Sequence, residues 1–448
     1  MSDQANSNRL RSWIGPRGRQ IVRSGAWSLV AKTAAAASLF LTVPFVLDAL
    51  GPEQFGAWAT LVSLVTFAGF LDFGLGNGTM NLVASAFGRR EFDQVGAVFR
   101  EGQRALSQIA LTLGLVVLVA LPVVPWHALL GLRPELAEAS LISAAVVLFT
   151  IVLAIPLNLA TRVQLGLGRG DRAFRWQVIG QLLALGAVIM LARARAPLPA
   201  LTAAAVSVPL IASLGNTLSL LRDPALAAAP RDRQPDISTR IRREGLLFFV
   251  LQMCAAVGFS LDLPLISALR GSVDAGHYAI VQRIFSVVPI SLGLLWTPLW
   301  PGYRNALASG NHEWAERTFR RSLIIGAVIA AGGGVLLAVA FGPLTEWWLG
   351  ARLPVDWLLL AGFAAWCVLD AAGTATATYL NAAGIMRPQL FVAITFAGLS
   401  LPLKAWCALN LGLHSVIWVT VCLSFFANLL PFWLLRHRLL TAVRDKAY

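Results

Sequence analysis

Charge is scarce in this chain. Only 13% of its 448 residues are Asp, Glu, Lys or Arg, about half the share that a soluble domain carries. So few ionised groups cannot coat a soluble protein whose residues are 57% hydrophobic. Cysteine is scarce as well. Cys254, Cys367, Cys407 and Cys422 lie far apart inside apolar runs; they show no metal spacing and read as small core residues. The five histidines form no pair at i,i+4. No metal site or cofactor is expected. There is no phosphate loop, so nothing points to nucleotide use. One polar segment, Arg222–Gly245, is long enough to carry chemistry, and its acids Asp223, Asp232, Asp236 and Glu244 show no paired active-site spacing. The expectation is a protein that is not an enzyme and has no catalytic residues. No cleavable signal is expected either, because the first residues, "MSDQANSNRLRSWIGPRGRQIVRSG", are polar and basic.

What the chain has in quantity is long apolar runs. The segment "LSQIALTLGLVVLVALPVV" from Leu106 holds no charge. Runs of this length cover about 30 Å of hydrocarbon as a helix. Twelve are predicted, near 25–49, 56–86, 104–128, 136–166, 175–193, 197–221, 245–269, 275–307, 318–349, 355–383, 387–410 and 412–435. The net charge of +14 is placed by these spans. With the N-terminus inside, 28 of the 36 basic residues fall in inner segments and five in outer ones, the bias that the positive-inside rule describes. Both termini are then cytoplasmic, and the basic charge faces anionic membrane lipids and not nucleic acid.

The chain also repeats itself. "VPFVLDALGPEQFGAWATL" from Val43 carries Pro44, Gly51, Gly56, Trp58 and Ala59. "LPLISALRGSVDAGHYAIV" carries Pro264, Gly271, Gly276, Tyr278 and Ala279, each 220 residues on. Weaker matches pair "EFDQVGAVFR" with "EWAERTFRR", which read as amphipathic connecting helices. Six spans separate the copies, so both halves run the same way through the membrane, which implies a pseudo-two-fold axis along the membrane normal. The expected fold is an all-α polytopic membrane protein of about twelve transmembrane helices in two six-helix lobes, residues 1–222 and 245–448, joined by a cytoplasmic linker at 223–244.

The stretch "LGPEQFGAWATLVSLVTFAGFLDFGLGNGTMNLVASAFG" resembles the N-terminal region of Wzx-type polysaccharide flippases of the multidrug/oligosaccharidyl-lipid/polysaccharide exporter superfamily. The residues that carry it are Leu50, Gly51, Phe55, Gly56 and Trp58, then Asp72, Gly74, Leu75 and Gly76, with Phe73 where that family usually has Leu. The resemblance implies outward flipping of an undecaprenyl-pyrophosphate-linked oligosaccharide in the bacterial inner membrane, for O-antigen or other surface polysaccharide. It further implies polymerase and glycosyltransferases of the same pathway as partners. The alternative is a cation-coupled small-molecule exporter of the same superfamily.

Candidate site residues follow from cost, because a charge at mid-membrane is expensive and usually faces an interior or a cavity. Lys32 and Asp72 lie at matching depth on the first hairpin, and Asp262 and Arg283 on the seventh and eighth spans. They read either as two structural ion pairs or as cavity groups, with Lys32 and Arg283 contacting the pyrophosphate or glycan. Lys404 is expected near a boundary, snorkelling to water. Asp370 has Thr374 and Thr376 nearby in sequence. Trp296 and Trp300, deep in the eighth span, are candidates for stacking on a sugar, whereas Trp126, Trp347, Trp348 and Trp357 read as an interfacial belt.

Overall fold

A computed structural model describes residues 16–65, 71–223, 226, 236–241, 249, 253–254, 256–296, 299, 303, 306–307, 311–383 and 387–434, and every regular element among them is helical. Nine helices among the described residues are long and apolar enough to cross a membrane. This all-helical, multi-pass architecture is the one that the apolar runs require. In hydrocarbon each backbone N–H and C=O must find its partner within the chain, and a helix supplies every one locally.

Contacts divide the chain into two units. The first comprises residues 1–42, 64–125 and 138–249. It takes the start of α1 (Pro16–Leu64), then α2 (Leu75–Gly88), α3 (Phe92–Val123), α4 (Ala137–Leu157), α5 (Leu159–Gly166), α6 (Gly170–Arg193), α7 (Leu198–Val206) and α8 (Val208–Leu221). Its core is aliphatic, with Val83, Val95, Leu159 and Val163 buried together. Two of its spans are interrupted. The run predicted at 136–166 breaks between α4 and α5 at Asn158, and that at 197–221 breaks between α7 and α8 at Ser207. The Ser207 and Thr150 hydroxyls bond each other at 2.8 Å, and Pro209, which has no N–H to give, sits in the first turn of α8.

The second unit comprises residues 43–63, 126–137 and 250–448. Its further helices are α9 (Asp262–Arg270), α10 (Ser272–Trp296), α11 (His312–Val339), α12 (Phe341–Leu349), α13 (Trp357–Ala382), α14 (Arg387–Asn410) and α15 (Ser415–Leu423). Aromatic rings knit it together: Phe363 packs on Tyr278 and on Phe285, with centroids 5.1 and 5.7 Å apart.

The repeat has a direct backbone meaning. Gly51 interrupts α1 at φ 72°, ψ 171°, and Gly271 separates α9 from α10 at φ 96°, ψ 167°. Both occupy a region that only glycine enters readily. Gly271→Ala is therefore expected to lower stability by about 1–3 kcal/mol, read as a fall in Tm, although nothing lies within 4 Å of its missing Cβ. An unchanged Tm would refute the backbone argument.

The amphipathic segments expected as separate connecting helices are not separate. Residues 92–100 form the first turns of α3, and 313–321 those of α11. No proline intervenes before the apolar run in either helix, so nothing removes a backbone donor. Val95, Val98 and Phe99 are buried, and the amphipathic face is spent on packing.

Candidate functional site

The interruptions of unit 1 surround a polar cavity of about 390 Å³. Asp72 lies on its wall, just before α2, where the sequence "DFGLGNG" leaves helical geometry. Phe73 and Gly74 both have positive φ, 50° and 73°. The Asp72 Oδ1 accepts the Gly74 N–H at 2.8 Å, and the Asp72 carbonyl accepts the Leu75 N–H at 2.9 Å. The acid thus caps the turn that creates its position. It is only 8% exposed. Gly76 is needed one turn on. A Cβ there would collide with the Asp72 carboxylate and meet the Arg162 Cγ at 3.4 Å. Glycine lets the acid and the Arg162 stem flank the same point of α2.

Uncharged polar groups and aliphatic side chains supply the rest of the wall. Buried Gln164, which does not itself line the cavity, donates from Nε2 to the wall residue Asn216 at Oδ1, 2.7 Å away. Asn216 donates in turn to Thr161 Oγ1 at 3.2 Å. The Gln164 Oε1 has no donor, which leaves a spare acceptor in the network. Gln177, Gln181 and the Trp176 indole line the α6 side. A carboxylate, a guanidinium, several amides and a flat apolar ring suit an amphipathic small molecule with a few directed polar contacts. Sequence reasoning found Asp72 and missed the others. Arg162 counts among the inner basic residues, and Gln181 and Asn216 carry no charge. Their signal was polarity inside apolar runs.

In unit 2 the pairing of the charges differs from expectation. Asp262 does not pair with Arg283. Its Oδ1 accepts from Lys404 Nζ at 2.6 Å, and its Oδ2 accepts from the Tyr278 hydroxyl at 3.0 Å. Lys404 is 1% exposed and does not snorkel. Its ammonium also donates to the Gly258 carbonyl at 2.8 Å. Residues Ala256–Ser260 form a π-helical turn, and such a bulge loosens the backbone hydrogen-bond ladder and leaves a carbonyl open to a side chain.

Arg283 is buried against two aromatic rings, with its Cζ 5.2 Å from the Trp58 ring centroid and 6.0 Å from that of Phe55. Lys32 is exposed and forms no ion pair with Asp72, beside which Arg162 stands instead. Matching depth within one hairpin does not make an ion pair: the cations beside Asp262 and Asp72, Lys404 and Arg162, come from helices distant in sequence. Trp296 is 6% exposed, and its ring lies on Gly326 of α11, so it packs helices and offers no open stacking face. Trp300 lies outside the described residues. Asp370 is half-buried, and the Thr376 hydroxyl bonds the Ala372 carbonyl and not Asp370.

Comparison with known proteins bears on what this architecture carries. The family described as MatE matches residues 29–189. No curated protein matches the sequence. Among solved structures, an inward-facing multidrug resistance MATE transporter of the MOP superfamily aligns with TM-score 0.76 and 17% identity over 92% of this chain and 96% of its own. A MOP superfamily transporter from Pyrococcus furiosus, whose binding pocket is described as of reverse polarity, aligns with TM-score 0.69 and 18% identity over 96% and 97%. An outward-facing multidrug MATE transporter aligns with TM-score 0.66 and 18% identity over 96% and 98%.

The fold is thus the two-lobed, all-helical fold of these transporters. The comparisons overturn the resemblance to Wzx-type flippases, and with it the lipid-linked oligosaccharide as substrate and the polymerase and glycosyltransferases as partners. The structure gives the reason. Five of the residues that carried the resemblance, Gly51, Gly56, Asp72, Gly74 and Gly76, build a helix break, a close helix contact and a capped turn; that geometry says nothing of a glycan. What the chain resembles, by family model and by fold alike, is a MATE transporter.

Proposed function

We propose that this chain exports small molecules through a membrane in exchange for a cation, proton or sodium, with the unit 1 cavity as the binding site and Asp72 as the coupling group. The observation that carries this reading is the placement of one buried carboxylate on the wall of a polar cavity whose other groups are almost all uncharged. A single carboxylate cannot neutralise two cations at once. A coupling ion on Asp72 therefore weakens the hold on a positively charged substrate, and substrate binding weakens the hold on the ion; the two effects are reciprocal. Arg162 beside it keeps the empty site from carrying an uncompensated negative charge. A volume near 390 Å³ is at the small end of the range for drug-sized ligands. The distribution of basic residues supports a cytoplasmic membrane with both termini inside.

The test uses the full chain in proteoliposomes, with a fluorescent cationic dye as substrate and an imposed proton or sodium gradient. Wild-type protein is expected to move dye with one of the gradients. Asp72→Asn, nearly isosteric and uncharged, is expected to reduce gradient-driven movement to the background of empty vesicles. Movement by Asp72→Asn at the wild-type rate with the same gradient would overturn the proposal.

A further inference from the structure

Arg283 is the feature of unit 2 that the proposed exchange does not use. Its side chain is 7% exposed. Rings from the first copy of the repeat cover it, Trp58 at 5.2 Å and Phe55 at 6.0 Å. Among the described residues no carboxylate lies within ion-pair distance of it, and its Nη1 has no hydrogen-bond partner. The Trp58 Nε1, on a residue 2% exposed, has no acceptor either. Burial of an unpaired charge is strongly unfavourable, and ring faces offset only part of that loss. Donors on two contacting side chains thus lack an acceptor, and one of them belongs to a cationic guanidinium.

The repeat sharpens this. The residue matching Trp58, 220 positions on, is Tyr278. Tyr278 also sits buried with its donor directed inward, and it has found a carboxylate, Asp262 Oδ2, at 3.0 Å. The position matching Asp262 in the first copy is Thr42, which has no negative charge and bonds its own helix at Ser38. The second copy thus holds an internal carboxylate where the first holds none.

We infer that Arg283 and Trp58 form a binding site for a monoanionic group, met by a halide-sized ion or by the carboxylate of a small molecule. The guanidinium supplies the charge and Nη1–H, and the indole supplies a second N–H. The apolar walls of Phe55 and the Trp58 ring raise the strength of both contacts by excluding water. The site belongs to unit 2 and goes beyond the exchange assigned to Asp72.

The experiment measures Tm of the purified full chain while sodium bromide, acetate or benzoate replaces sodium methanesulfonate at constant ionic strength. A saturable rise is expected in wild-type protein and is expected to be lost in Arg283→Gln. Trp58→Phe keeps the ring and the charge and removes one donor. It is expected to raise the half-saturating concentration about tenfold, the effect of one hydrogen bond to a charged group. Saturation by bromide at the lowest concentration assigns a bound inorganic ion; saturation by benzoate or acetate at the lowest concentration assigns a carboxylate ligand. The same Tm in all salts, a saturable response that persists in Arg283→Gln, or an unchanged half-saturation in Trp58→Phe would each overturn the inference. Should Arg283→Gln not accumulate, the Trp58→Phe comparison decides alone.

Discussion

Gly56→Ala is expected to be among the most damaging single methyl additions that unit 2 can receive. A Cβ at Gly56 would lie inside the Ser272 carbonyl group and 3.1 Å from the Gly276 nitrogen. These are backbone atoms at the start of α10, so no side chain can rotate away. The two repeat turns would have to separate, and with them the bonds around the seam. Ser272 donates to the Gly131 carbonyl at 3.0 Å, Ser267 to the Leu130 carbonyl at 2.8 Å, and Arg133 holds Glu53 at 3.0 Å. Overpacking of this kind costs about 1–3 kcal/mol and sometimes more, and loss of buried hydrogen bonds adds to it. The expected result is a large fall in Tm or failure to accumulate. The symmetry-related Gly276→Ala provides the contrast. Its added methyl would meet Gly56 Cα at 3.2 Å and Phe55 Cδ1 at 3.3 Å, tight contacts that a few tenths of an ångström relieve. Equal stability losses in the two variants would refute the geometry.

The second large effect is expected at Lys404. Lys404→Met removes the charge, keeps the stem, and leaves Asp262 buried with the Tyr278 hydroxyl alone. Breaking a buried pair on one side costs about 3–5 kcal/mol, because the orphaned charge stays behind. Adding Asp262→Asn removes that charge while an amide oxygen still accepts from Tyr278. The double variant is therefore expected to recover more than half of the loss in Tm. Wild-type stability in the single variant, or no recovery in the double, would show that the contact at 2.6 Å does not hold the fold. Either outcome is read from membrane abundance and a melting curve and needs no transport assay.

Some of this was legible in the sequence and some was not. The spans follow from apolar length alone. The glycines at 51, 56, 271 and 276 were legible because a backbone requirement leaves a residue of fixed type at fixed spacing. Asp262 and Lys404 were each noticed as intramembrane charges, but their pairing spans 142 positions and depends on how α9 and α14 pack, which no local pattern records. The cavity was hardest to see. Gln164 and Asn216 meet only because α5 and α8 both start at interruptions of longer runs, and an amide among apolar residues stands out far less than a charge. The substrate class was misread because the recognisable segments serve mainly geometry, whereas the cavity wall, Asp72 and Gly76 apart, is built from residues that form no sequence motif.

Unit 2 is discontinuous in sequence, and this has a consequence for synthesis. Its seam takes residues 43–63 from near the start of the chain, yet their partners in α9 and α10 come more than two hundred residues later. At about 5–20 residues per second, the ribosome needs roughly 10–45 s to travel from Trp58 to Arg283. For that interval the nascent hairpin holds Phe55, Gly56 and Trp58 with no matching surface from its own chain. The hairpin must wait at the insertion machinery, in lipid, or against another protein, and the stage of biogenesis most open to misassembly falls before the second half of the chain exists.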